Sequence, residues 1–216
     1  MMRSVLEPTI PMDVGALSQR QRIIDAMVDC CAEKTYAATT IADIVSHASI
    51  SRTTFYKRFE GKRECFDAAL DWGLQELQAA VEASYLPADP PPVAIRRAIA
   101  ACLDLLATKP ALAQLAIGEA VIVEPTMMRR YLDLLTPAVE QLWDDAADPQ
   151  DRHTDPRFAL GRAQVLTYNA ILAGRTARLP QLLPDLVYTL LLPFAGHEEA
   201  LKQARLAGAD SRSELR

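Results

Sequence analysis

The segment TTIADIVSHASISRTTFYKRFEGKRE, residues 39–64, decides how the rest of the chain is read. A helix is predicted to begin at Thr40, whose hydroxyl can cap the first free amides while Asp43, three residues on, reaches back. Ile41, Ile44, Val45 and Ala48 form its apolar stripe, barely two turns long. A break at Ala48-Ser49-Ile50 follows, and Ser51 can then cap a helix running from Arg52 to Phe59. Phe55 and Phe59, four apart, supply its inward face. Two short helices joined by a tight turn over 40–59 define a helix-turn-helix element.

What that second short helix leaves outward is Arg52, Thr53, Tyr56 and Lys57, hydrogen-bond donors without a carboxylate. From Ser51 to Arg63 the chain carries five basic side chains against the single carboxylate of Glu60. Such a face suits a DNA major groove: arginine pairs with guanine, threonine meets a thymine methyl or a polar edge, and Tyr56 bonds a phosphate. The amides opening the second and fourth helices suit phosphates, with Thr40 and Lys62 beside them. The same charges also fit an ordinary solvated face, and chemistry alone leaves both readings open.

Working outward, Ile24, Met27, Val28 and Cys31 mark an amphipathic first helix over about 18–34. Gly61 punctuates, and a long helix follows from about Lys62 to Tyr85 with Phe66, Ala69, Leu70, Gly73 and Leu77 on one face. Leu86 to Pro92 contains four prolines and cannot continue it. Further helices are predicted at about 93–107, 110–122, 125–147, 156–178 and 181–207. The tail from Ala209 is polar enough to fray. With half of its 216 residues apolar, only eight glycines and few aromatics, the chain is expected to be all-α with about nine helices.

The net charge of −5 hides its distribution. Residues 18–63 hold eight basic against five acidic side chains, and residues 64–216 hold a net −7. Cys30, Cys31, Cys65 and Cys102 form no CxxC pair and stand at no metal-ligand spacing from His47, His153 or His197, so they read as core thiols. No metal site, cofactor motif or catalytic pair emerges, and an enzyme is not expected. The N-terminus lacks the uninterrupted apolar core of a signal peptide. The longest apolar run, Leu186 to Ala195, is about half of the roughly 20 residues a membrane span needs. Cytoplasmic residence is the expectation.

Residues 39–64 resemble the TetR-family pattern of Thr, Ile-Ala, a turn ending in Ser, Thr-x-Tyr-x-x-Phe and then Lys. Thr40, Ile41, Ala42, Ser51, Thr54, Tyr56, Phe59 and Lys62 satisfy it, and the likeness extends from Ser18 to about Leu77. It departs at Ser49 and Thr53, where the family often has glycine or another small residue, and at Arg58, where it often has histidine. The resemblance implies a DNA-binding head over 17–77, a connecting fourth helix, and a helical domain over 86–207 that dimerises and often holds an inducer. The DNA-contacting set it implies, together with the outward chemistry, is Thr40, Ser51, Arg52, Thr53, Thr54, Tyr56, Lys57 and Lys62. The expected partner is a palindromic operator in double-stranded DNA, bound by a homodimer that acts as a repressor.

For an effector, the middle of the chain offers Glu119, Met127, Tyr131 and Trp143. Glu119 stands within apolar LAQLAIGEAVIV and would seek a cation, a donor or solvent; it also fits a solvated face or a pair with Arg129 or Arg130. The terminal LPDLVYTLLLPFAGHEEAL, 183–201, resembles the last helix of many family members, and its stripe of Leu183, Leu186, Leu190 and Phe194 is a candidate dimer interface, with ordinary core packing as the alternative. Two rivals are a small-molecule-binding or enzymatic helical protein that merely contains a helix-turn-helix, and a constitutive DNA-binding protein without an effector.

Overall fold

A computed structural model describes residues 14–124, 126, 130 and 156–213. Helix α1, Val14–Lys34, buries Ile23, Ile24, Met27, Val28 and Cys31 along one face. It ends on Thr35 at φ 77°, whose amide donates to the Cys31 carbonyl at 2.9 Å, a left-handed stop without the usual glycine. Helix α2, Ile41–His47, starts in the capping box expected of it. The Asp43 amide donates to Thr40 Oγ1 at 3.2 Å, and the Thr40 amide to Asp43 Oδ2 at 2.9 Å.

The turn after α2 is a Schellman motif. The Ile50 amide donates to the Val45 carbonyl at 3.0 Å, the Ser49 amide to that of Ser46 at 3.1 Å, and Ser49 takes φ 52°. Helix α3, Arg52–Tyr56, is shorter than predicted, with Lys57 as its C-cap. Phe59 nevertheless lies buried beside Phe55, ring centroids 5.8 Å apart, because its amide still reaches the Phe55 carbonyl. Helix α4, Lys62–Ser84, then runs from this head into the rest of the protein.

Helix α5, Pro91–Thr108, opens on prolines that need no amide partner at a helix start. It is followed at a 110° bend by a continuous helix, α6, over 110–123. Within α6 the turn Gln114–Glu119 is π-helical, flanked by α-helical Pro110–Ala113 and Ala120–Val123. Helix α7, Pro156–Leu172, ends earlier than the sequence suggested. Gly174 at φ 67° closes a second Schellman motif, with the Arg175 amide on the Ala170 carbonyl. A 3-10 segment, Thr176–Leu182, leads into α8, Leu183–Ser213, which is broken at Gly196 (φ 74°) just beyond Pro193. The helix predicted at 125–147 lies outside the described residues, apart from Thr126 and Arg130. No strand occurs among the described residues, and none of their helices alone is long and apolar enough to cross a membrane.

Two cores result. The head core gathers Ile24, Met27, Ile44, Phe55, Phe59, Phe66 and Leu70, and the body core gathers Leu77, Ile99, Leu103, Leu112, Leu179, Leu186 and Leu190. Helix α6 serves both, placing Leu115 and Ala120 in the first and Leu112, Ala113, Ala116 and Ile117 in the second. It meets α4 at Gly73, where an added Cβ would come within 2.8 Å of Leu112 Cδ1.

Candidate nucleic-acid interface

The outward face of α3 is as the sequence implied: Arg52, Thr53, Tyr56 and Lys57 are exposed, Tyr56 at 55% despite its ring packing edge-on against Phe55. Buried Phe55 and Phe59 fix the helix from behind, so these four side chains are carried on a rigid support. No acidic side chain of α3 intervenes, and no hydrogen bond or ion pair ties up the heads of Arg52, Thr53 or Lys57 among the described residues.

Other members of the sequence-derived set do structural work. Ser51 caps α3, accepting from the Thr54 amide at 3.0 Å, and the two hydroxyls lie 2.9 Å apart. Thr40 Oγ1 donates to Asp43 Oδ2 at 2.7 Å while accepting from the Asp43 amide. Lys34 pairs with Asp43 at 2.7 Å, and that contact, with the bonds from Thr40, holds the Asp43 carboxyl well below the usual carboxylate range. These hydroxyls set where α2 and α3 begin.

Lys62, expected as a phosphate contact, commits two of its three ammonium donors within the chain. Its ammonium donates to the carbonyls of Tyr36 at 2.8 Å and Thr39 at 2.9 Å, and lies 4.2 Å from the Tyr36 ring centroid. It staples the α1–α2 loop to α4 because a cation with two carbonyls and a ring around it is better placed there than in open solvent. Sequence reading also missed Arg22, which donates to the Ala48 carbonyl and, at 3.4 Å, to that of Ser49. It clamps the helix-turn-helix turn from α1, 26 residues away, and nothing local in the sequence signals that reach.

The remaining candidates separate. Glu119 is 5% exposed and accepts the Tyr36 amide at 2.9 Å. Its carboxylate thus holds the head loop, and its burial corrects its reading as a solvated side chain. Met127, Tyr131 and Trp143 lie outside the described residues. Leu183, Leu186 and Leu190 are buried in the chain's own body core, with Phe194 partly buried against it, so a partner cannot reach the three leucines. Among the described side chains of these last helices, the exposed large apolar ones are instead Val165, Leu166 and Leu172 on α7 and Leu192 and Leu206 on α8. Burial keeps the cysteines protonated: the thiols of Cys31, Cys65 and Cys102 are each pushed up to about 12. No cluster of metal-ligating side chains occurs among the described residues.

A capped α2, a left-handed turn and a donor-bearing α3 set on a third helix define a DNA-binding helix-turn-helix head. Residues 23–69 match the family model of bacterial regulatory proteins of the tetR family, so the N-terminal domain of this chain is a TetR-family domain. No curated protein matches the chain. Among solved structures, a TetR-like transcriptional regulator from Rhodococcus sp. RHA1 superposes with a TM-score of 0.68 at 19% identity, over 87% of this chain and 100% of its own. FadR from Bacillus subtilis, in complex with stearoyl-CoA, gives 0.68 at 16% identity, over 82% and 98%. A gamma-butyrolactone receptor (ArpA-like protein) gives 0.62 at 17% identity, over 91% and 100%. The described part of the chain thus has the fold of TetR-like transcriptional regulators.

Proposed function

We propose that this chain is a homodimeric, sequence-specific repressor that binds a palindromic operator in cytoplasmic DNA and is released by a small-molecule effector. The observation that carries the reading is the outward face of α3, with Arg52, Thr53, Tyr56 and Lys57 presented together on a support fixed by Phe55, Phe59 and the Arg22 clamp. Arg52 and Thr53 read base edges, while Tyr56 and Lys57 bond phosphates; Thr40, Ser51 and Thr54 place the helices that carry them.

A single five-residue helix reads few base pairs, and a second head one groove repeat away, about 34 Å, multiplies both affinity and specificity. The exposed Val165, Leu166, Leu172, Leu192 and Leu206 offer α7 and α8 an apolar outer surface for a second copy. A regulator in complex with stearoyl-CoA and a gamma-butyrolactone receptor share this fold, which supports an effector bound in the body. Effector binding acts by favouring a body conformation that holds the two heads off the groove spacing.

Titration of a selected palindrome against a single half-site, at two salt concentrations, tests the reading. A dimeric operator binder prefers the palindrome and loses affinity steeply with salt. Equal affinity for both, or none, overturns it.

A further inference from the structure

Glu119 is a buried carboxylate that no DNA or effector contact described above uses. It sits on the π-helical turn of α6, where the Ala120 amide donates five residues back, to the Leu115 carbonyl. That i to i+5 pattern turns residues five apart toward one side, and it lets Leu115 and Ala120 both enter the head core while their neighbours stay in the body core. From the same turn Glu119 reaches across to the Tyr36 amide.

The Tyr36 backbone is held from both sides. Its amide donates to Glu119 of the body, its carbonyl accepts from Lys62 at the start of α4, and its ring lies 4.3 Å from that of Phe66. The loop so fixed connects α1 to α2 and therefore carries the first helix of the helix-turn-helix. A buried carboxylate in apolar surroundings is unfavourable unless hydrogen-bonded. Pulling the head from the body would strand both the carboxylate and the amide. Exposed ion pairs, Arg63 with Glu124, Lys109 with Glu76 and Arg130 with Asp71, tie α4 to α6 and its flanks, but solvent weakens each of them.

We propose that Glu119 is a positioning residue that couples body to head: through the Tyr36 amide, the π turn of α6 sets the orientation of the α2–α3 unit. The proposal rests on the reading of the chain as a dimeric operator binder, because orientation of the head matters only where two heads must match a groove spacing. A shift of α6 then moves the reading helix, and a head released from Glu119 still reads its own half-site.

The test compares the full-length protein with Glu119→Leu and the near-isosteric Glu119→Gln. Hydrogen exchange at the Tyr36 amide and binding to a palindrome and to one half-site are measured for all three. In Glu119→Leu the amide exchanges about tenfold faster or more, as expected for loss of a hydrogen bond to a charged group. Palindrome affinity falls by a similar factor while half-site affinity is unchanged; Glu119→Gln shows smaller changes in the same direction and carries the test if the leucine variant does not fold. Unchanged exchange, or equal loss on palindrome and half-site, overturns the coupling role. A protein that prefers no palindrome overturns the proposed function instead, and the exchange measurement still decides whether the latch exists.

Discussion

Replacing Gly73 by alanine probes the seam between α4 and α6 with an effect whose sign depends on one methyl group. The new Cβ would lie 2.8 Å from Leu112 Cδ1, a side chain only 1% exposed, and at an ordinary 4.0 Å from Ala116 Cβ. Alanine in a helix interior is favoured over glycine by about 1 kcal/mol. Overpacking a tight core costs about 1–3 kcal/mol, so Gly73→Ala should destabilise the protein by about 0–2 kcal/mol in the native background. Leu112→Ala removes the offending methyl and by itself costs about 2–5 kcal/mol. In that background Gly73→Ala should become stabilising by about 1 kcal/mol, since only the helix preference remains. Urea unfolding of the four proteins measures the cycle. The same effect of Gly73→Ala in both backgrounds would refute close packing of α4 on α6 at this point.

Ser49→Gly relieves a left-handed residue of about 1–2 kcal/mol and loses about 0.4–1 kcal/mol through the freer unfolded chain, so the melting temperature should hold or rise; a loss of several degrees would contradict the Schellman geometry. Arg52→Ala should weaken binding to the selected site by about 1–3 kcal/mol while leaving the melt unchanged. Lys62→Ala should lower the melting temperature because the α1–α2 loop loses its staple, and an unchanged melt with a reduced salt slope would instead make Lys62 a phosphate contact. The raised thiols of Cys31, Cys65 and Cys102 make the fold favour the protonated form. Their contribution is present below the ordinary thiol value of about 8.5 and is lost as pH rises toward the folded values. Unfolding midpoints should therefore decline above about pH 9, and rapid native-state alkylation of Cys31 or Cys65 near neutrality would contradict their burial.

The head was legible because its signals are local. The Thr40–Asp43 box, the Ser51 cap and the Phe55–Phe59 pair are each set by residues three or four apart, and the structure makes the corresponding bonds and burial. Where the sequence fell short, geometry was decided over longer distances. Lys62 sits beside a helix N-terminus, as a phosphate contact would, yet Tyr36 and Thr39 fold back to take its ammonium. Glu119 looked like a carboxylate in need of a ligand, and its donor is a backbone amide 83 residues earlier. Leu183, Leu186 and Leu190 form a stripe wider than one neighbour needs, and it is covered within the chain by the rest of the body core. Gly174 could have marked the end of α7 from sequence, since glycine past the last apolar turn is a recognised stop, but the helix-compatible Arg175, Ala177 and Arg178 after it hid the signal.

Selection of bound sequences from random DNA by the purified protein is the most direct measurement of the central claim. An outward α3 face working as one of two matched heads predicts enrichment of a palindrome whose half-sites lie about one helical turn apart, centre to centre. Failure to enrich any sequence, or enrichment of a single unrepeated half-site, would contradict it.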